Sequence, residues 1–537
     1  MVSITAVLGQ LGALAVLGVV SLVVYRLYFH PLAKFPGPSL AAATGLYEAY
    51  YDCIKDGGGR FYVEIGRMHD KYGPIVRISP WELHIRDADW GEVYRVSRRA
   101  SKPLGFYTFL GASGNAFSSG PHETHRMRRE AITPFFTPGA VARREPEVEH
   151  LVAKLAGRLE QFSGTGAVLN LGDAFRCLAT DGATAFAFRR PFGHLDDPDF
   201  EPSTNAAVRR LARFGAINRQ TGGRFMAAMR SIPPAIALRL NPGSLVAATR
   251  WGRGQKLVVT IRSELAAVAA EDAQRKLATP GPSDSRLADA DEREAESNVI
   301  RQILHSSLPA AEKTPWRIER ESSSVTLAGT ETTGSILAFV AYWLLCDGRA
   351  RAARLAAELD AAAELDAAAA RTGGERLPTL SELKELPYLT GVVNEGLRFN
   401  SPSGRLPRYD PKNDMTYKGW VIPKGTIVST TPNDTHFSAE IFKDPQEFLP
   451  ERWLGDEAQR KQLSKYLIPF GRGTRTCVGN EVAVMELYLT LGRLFSSSGL
   501  GGKLRLVATD YERDVKLFHD FFSPFPKSAR GVRALVI

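Results

Sequence analysis

Apolar positions along this chain fall into three patterns, each predicting a different kind of element. The first is an unbroken run at residues 4–25, ITAVLGQLGALAVLGVVSLVVY, in which no residue is charged. Wound as a helix, its 22 positions match the roughly 30 Å hydrocarbon core of a bilayer, so the run predicts a single transmembrane helix. It lacks the basic start of a secretory signal and is longer than one, which predicts a retained anchor. Arg26 and Lys34 follow the run and no basic residue precedes it, so the positive-inside rule places the remainder on the cytosolic side. The second pattern, apolar residues three and four apart, occupies residues 180–270 and 383–399 and predicts helices. The third, strict alternation, is confined to short pieces such as residues 75–85. The expected fold class is therefore mainly α with a minor β-sheet portion, preceded by the anchor.

Three segments interrupt these patterns. HPLAKFPGP, with Pro31, Pro36 and Pro38, cannot continue a helix and predicts a hinge over residues 26–40. In residues 271–298 charge and Pro/Gly density rise while periodicity fades, predicting a surface loop. Residues 355–370, LAAELDAAAELDAAAA, nearly repeat a six-residue unit of strong helix formers and predict an exposed helix.

With 44% hydrophobic and 23% charged residues, the chain is neither collagen-like, coiled-coil nor wholly disordered. A net charge of +10 suits an acidic partner or an anionic membrane surface. Four cysteines, Cys53, Cys177, Cys346 and Cys477, with no C-x-x-C pair, exclude a disulfide framework and a cysteine-rich zinc site. No G-x-G-x-x-G, G-x-x-x-x-G-K-S/T or G-x-S-x-G motif occurs, so the chain has no nucleotide or nucleophile-elbow signature of its own.

Candidate chemistry is concentrated in four places. FGRGTRTCVG, residues 470–479, sets Cys477 just before a helix-like run, where free N–H groups and the positive dipole end favour thiolate. Gly473 and Gly479 would admit a cofactor close to the backbone, and Arg475 offers a fork to a carboxylate. Taken alone, Cys477 reads more readily as a small buried hydrophobe. TLAGTETTGSILAFVAYWLL, residues 326–345, buries Glu331, Thr332 and Thr333 in an apolar helix; such groups are costly without a role. Glu395 and Arg398 lie three apart on a mostly apolar helix and can pair inside it. HETHRMRR, residues 122–129, places His122 and His125 three apart rather than the four of the helical zinc motif, which argues against zinc.

FGRGTRTCVG also satisfies F-x-x-G-x-R-x-C-x-G at every defined position, and by it the chain resembles the cytochrome P-450 haem-thiolate monooxygenases. The resemblance implies haem b with Cys477 as the axial iron ligand, whose thiolate donates electron density that favours O–O cleavage. It places Phe470 beside the sulfur and Arg475 on a haem propionate. AGTETT matches the family's oxygen-activation motif, implying that Gly329 lies at the cofactor and that Glu331 and Thr332 relay protons. Glu395 and Arg398, with Arg452 of PERW, match the structural E-x-x-R network. His125 stands where the family's W-x-x-x-R helix has tryptophan, Arg129 matches its arginine, and Arg408 of RLPR resembles another propionate-binding arginine.

The same resemblance extends from the hinge to the carboxyl end and implies one catalytic domain over residues 41–537, anchored by residues 1–25 in the endoplasmic reticulum membrane and facing the cytosol. Electrons would come from NADPH through a separate flavoprotein reductase, docking near Arg126, Arg128, Lys465 and Arg472. KYGPIVRISPWELHI is similar to fungal secondary-metabolism members such as trichodiene oxygenase, implying a hydrophobic terpenoid or polyketide-like substrate and no nucleic-acid partner. Pocket residues would come from the 102–118 loop, Ala328, Thr332, Phe521 and Phe522. A haem-thiolate isomerase or dehydratase needing no reductase, a fatty-acid or xenobiotic hydroxylase, and a non-catalytic haem protein are the alternatives.

Overall fold

The apolar stretch carrying the two threonines folds as a 31-residue helix, Pro315–Leu345, around which the domain is packed. The structure, a computed structural model, describes residues 4–107, 113–233, 253–277, 298–370, 378–400 and 404–537. This central helix starts where Thr314 Oγ1 accepts the Arg317 N–H and Pro315 occupies the first turn. Against it lies the Leu171–Phe188 helix, in which every residue but Asp173 is buried. Small residues make that contact close: a Cβ on Gly329 would stand 2.8 Å from the Ala183 Cβ, and one on Gly334 3.0 Å from the Arg176 Cα. The Pro387–Asn400 and Asn480–Phe495 helices complete the main core, with Leu337, Val340, Leu389, Val392, Met485 and Leu489 among its buried residues.

Strands are short. β1 (Ile75–Ser79) and β2 (Glu82–Ile85) are antiparallel, with Ile75 opposite Ile85, and β3 (Ile427–Ser429) joins β2 in parallel, with Glu82 opposite Ile427. Alternation suggests one wet face, yet every residue of β1 and β2 is buried. Val76 and Ile78 pack on Phe61, Ile65 and Met68, while Ile75, Leu83 and Ile85 pack on Leu32, Phe35 and Met415. The polar alternates are paired instead: Arg77 donates to the Arg26 and Pro80 carbonyls at 2.8 Å each, and His84 hydrogen bonds His69 and Thr431.

At the amino end, the Ile4–Val24 helix continues as a wider turn, Tyr25–Phe29, four residues beyond the expected stop. The apolar span Val7–Phe29, of mean hydropathy 2.3, is not buried against the domain at all, and it is long enough to cross a bilayer. Arg26 lies inside this helix and donates to the Ala43 carbonyl at 2.8 Å. The Pro-rich segment that follows is docked: Leu32 and Phe35 are buried, and Pro36 O accepts the Arg77 N–H at 2.7 Å.

Two sequence expectations need correction. Residues 271–277 are helical, ending the Arg253–Leu277 helix, and Glu271 is held by two 2.7–2.8 Å hydrogen bonds from Arg301; residues 278–297 of the expected loop lie outside the described residues. The alanine-rich repeat is helical (Ala350–Ala370) but amphipathic, since Leu355 and Leu359 are buried and Glu358 accepts the N–H groups of Tyr388 and Leu389.

Candidate functional site

The site is built on the Pro387–Asn400 helix, whose apolar residues carry Glu395 and Arg398 into the core with no exposed surface. Arg398 Nε and Nη2 each donate to a Glu395 oxygen at 2.8 Å, and its remaining donors reach the carbonyls of His436 (2.9 Å), Pro445 (2.8 Å) and Glu447 (3.1 Å). Glu395 also accepts from Leu449 N and Trp453 Nε1, and Arg452 Nε stands 3.1 Å from it. A fully partnered buried pair of this kind fixes the segment wrapped around it. Sequence reading missed its link to the cysteine loop. His436 donates from Nδ1 to the Arg398 carbonyl (3.0 Å), while its Nε2 accepts the Ile468 N–H (2.9 Å), two residues before the loop.

Within the loop, the Cys477 N–H donates to the Phe470 carbonyl at 2.9 Å. Gly473 is required for packing, not for cofactor approach: its φ is +73° and a Cβ there would strike the Tyr94 carbonyl. Gly479 faces open space, with nothing within 4 Å of a Cβ. Cys477 is exposed although desolvation by the surrounding domain is the largest influence on its thiol, so it faces an internal hollow. That burial pushes the thiol up, opposed by the Gly479 N–H and Arg129. The helix start alone therefore does not yield thiolate, whereas a coordinated cation deprotonates a thiol outright.

On the central helix, Ala328 is exposed and Thr332 half-buried, one turn apart, with Thr332 Oγ1 donating to the Ala328 carbonyl at 2.7 Å. The intervening residues turn the other way. Gly329 meets Ala183, and Glu331 accepts two 2.8 Å hydrogen bonds from the buried Arg176. The structure thus places Gly329 as a packing residue and ties Glu331 to a neighbouring helix, while Thr332 keeps the open face.

Cations gather beside the loop. His125 and Arg129 share one face of the His122–Ile132 helix, and Arg129 bonds the Thr476 carbonyl. Arg475 donates to the carbonyls of Ser119, Gly120 and Pro121 at 2.7, 2.8 and 3.3 Å. Buried Arg408 bonds the Tyr107 hydroxyl and the Pro407 carbonyl. Lys102, assigned only to the pocket by sequence, is buried with them. Burial depresses Arg129, Arg475 (to about 9) and His125 (to about 2), and in the last two neighbouring cations add to it. His125 Nδ1 and Arg475 Nε are buried without a hydrogen-bond partner. A sulfur ligand facing a hollow, beside a cluster of cations in which His125 and Arg475 keep orphaned donors, fits haem: one thiolate for iron and positive charge for two propionates.

Two expectations fare differently. The basic residues assigned to a docking face are already engaged: Arg128 with Glu312, Arg126 with Glu123 and Glu130, Lys465 with Asp89, and Arg472 with the Ala88 carbonyl. Two of the expected pocket segments meet where Phe522 stacks edge-on against Phe117, beside a cleft that Phe522 lines together with Asp52, Arg219, Arg405 and Asp520. That cleft is more polar than apolar pocket residues imply. Residues 108–112 of the expected pocket loop lie outside the described residues.

Comparison with known proteins gives the family. The family profile described as Cytochrome P450 matches residues 55–497. The cytochrome P450 monooxygenase sdnE of Sordaria araneosa is 36% identical over 99% of this chain and 98% of its own length. The tryptophan 6-hydroxylase fscE of Fusarium equiseti is 34% identical over 97% and 95%, and the fusicoccadiene C-8 hydroxylase of Phomopsis amygdali 33% over 96% and 93%.

Proposed function

The chain belongs to the cytochrome P450 family, and from that premise we propose that it is a membrane-anchored haem-thiolate monooxygenase acting on a hydrophobic secondary-metabolite intermediate, a terpenoid first of all. The observation that carries the reading is the interior Cys477 beside Arg129, in a cluster with Arg408, Arg475 and His125 in which His125 Nδ1 and Arg475 Nε have no hydrogen-bond partner. Similarity to the fusicoccadiene hydroxylase supports a terpenoid; similarity to the tryptophan hydroxylase keeps aromatic substrates in the screen.

When bound, haem supplies dioxygen activation and the transfer of one oxygen atom to a substrate C–H bond. The chain's own residues hold it and control protons. Cys477 supplies the sulfur ligand, and the four cationic or imidazole side chains take the propionates. The second oxygen atom leaves as water, which consumes two electrons and two protons. Thr332 is the hydroxyl at the open face of the central helix that holds and passes a proton, and its bond to the Ala328 carbonyl fixes its direction. Glu331 passes a proton only after yielding a hydrogen bond from Arg176. Electrons come from NADPH through a separate reductase, and the Val7–Phe29 helix holds the domain at the endoplasmic reticulum membrane.

The test is mass-spectrometric product analysis of membranes holding this protein, a reductase and NADPH, given sesquiterpene, diterpene, polyketide, fatty-acid and tryptophan scaffolds. The expected product is heavier by one oxygen, requires NADPH and disappears in Thr332→Ala. A product formed without NADPH would favour an isomerase or dehydratase instead.

A further inference from the structure

Lys102 is only 4% exposed, and no carboxylate among the described residues pairs with it. Its Nζ donates to the Phe117 carbonyl at 2.8 Å and lies 4.1 Å from the ring centroids of both Tyr107 and Phe117. The charges that act on it are Arg408, Arg475 and Arg129, all repulsive, so burial and like charge together hold its ammonium well below the usual lysine range. Among three guanidinium groups a buried lysine keeps its proton only if an anion lies beside it. The place for that anion is set by the backbone: the Gly120 carbonyl accepts both the Lys102 N–H (2.9 Å) and Arg475 Nη2 (2.8 Å).

The other donors are partly committed. Arg475 spends both terminal nitrogens on the Ser119–Pro121 carbonyls, Arg129 one on Thr476, and Arg408 one on Tyr107 and Pro407. His125, at the position of an indole donor, has a single N–H when neutral. Two propionates offer four oxygens, and Lys102, with one of its three N–H donors on the Phe117 carbonyl, keeps two to give them. Resting on the proposal that the chain binds haem, we propose that Lys102 binds a haem propionate, its ammonium forming a buried ion pair that the family motifs do not contain. Lys102 thereby stops being a pocket-loop residue facing substrate and becomes part of the cofactor's grip.

Haem loss to excess apomyoglobin tests this on the purified full chain, comparing wild type with Lys102→Met and Lys102→Arg. Lys102→Met should release haem on the order of tenfold faster, while Lys102→Arg stays near wild type. Reconstitution with haem dimethyl ester, whose propionates carry no charge, should erase the difference between wild type and Lys102→Met. Unfolding of the haem-free proteins by urea provides the control: Lys102→Met should be no less stable than wild type, because without haem the buried lysine has no anionic partner to lose. A difference that persists with the dimethyl ester, or a haem-free variant that is destabilised, would make Lys102 structural and overturn the proposal. Unchanged haem loss with weakened binding of an acidic substrate would assign the anion to substrate and overturn it likewise. Failure of wild type to bind haem at all would sink the proposed function instead.

Discussion

Both carboxylate oxygens of Glu331 accept a hydrogen bond from the guanidinium of Arg176 at 2.8 Å, and both side chains are buried. The acid of the AGTETT motif is thus fastened to the Leu171–Phe188 helix rather than free beside Thr332. Removing the cation while keeping the volume, as in Arg176→Met, leaves a buried carboxylate unpaired and should cost about 3–5 kcal/mol. Adding Glu331→Gln to that variant should restore part of the loss. Urea unfolding of the two single variants and the double variant measures the coupling, and strict additivity would rule out the pair.

Gly329 provides a second, sharper test of where the central helix faces. Because a Cβ there would already crowd the Ala183 Cβ at 2.8 Å, Gly329→Val should overpack the helix contact and cost about 1–3 kcal/mol. The haem absorbance per folded molecule should be unchanged. Loss of haem with undiminished stability would instead put Gly329 at the cofactor.

These two residues show how far the sequence was legible. Spacing alone put Glu395 and Arg398 on one helix face, because an i, i+3 pair is a local feature, whereas Cys477 and Thr332 stand out only through resemblance to the cytochrome P-450 motifs. Which side of the central helix Gly329 and Glu331 occupy depends on the Leu171–Phe188 helix, about 150 residues away in sequence. Nothing near AGTETT announces Arg176. The same holds for β1 and β2, whose alternation reflects partnered polar residues such as Arg77 and His84, not a wet face. His436 escaped notice because its two partners, the Arg398 carbonyl and the Ile468 N–H, are backbone groups.

Arg398 makes five hydrogen bonds inside the core, and its planar fork sets their directions. Lysine supplies one point charge and cannot reach the Glu395 oxygens and three carbonyls together. Arg398→Lys should therefore cost about 3–5 kcal/mol and strip haem from the purified protein. Soret absorbance and thermal unfolding check both outcomes, and a variant with normal haem content would show the network is not needed to hold the cysteine loop.

His436 links stability to pH with a definite sign. Its Nδ1 donates to the Arg398 carbonyl and its Nε2 accepts the Ile468 N–H, so the bonded form is neutral, and burial holds its pKa down at about 3 against an ordinary 6.5. Between those values the unfolded chain takes up a proton that the folded chain refuses. The contribution of His436 is therefore complete above pH 6.5 and declines as pH falls, by ~1.4 kcal/mol per pH unit until about pH 3. Other depressed histidines, such as His69 at about 4, tilt the same way, so the wild-type slope alone does not isolate His436. His436→Gln keeps an acceptor for Ile468 without a titrating group. Its stability, measured by urea unfolding from pH 7 down to pH 5, should fall less steeply than wild type by close to one proton. Parallel curves for the two proteins would mean that His436 is charged in the folded state and that its hydrogen bond to Ile468 does not exist.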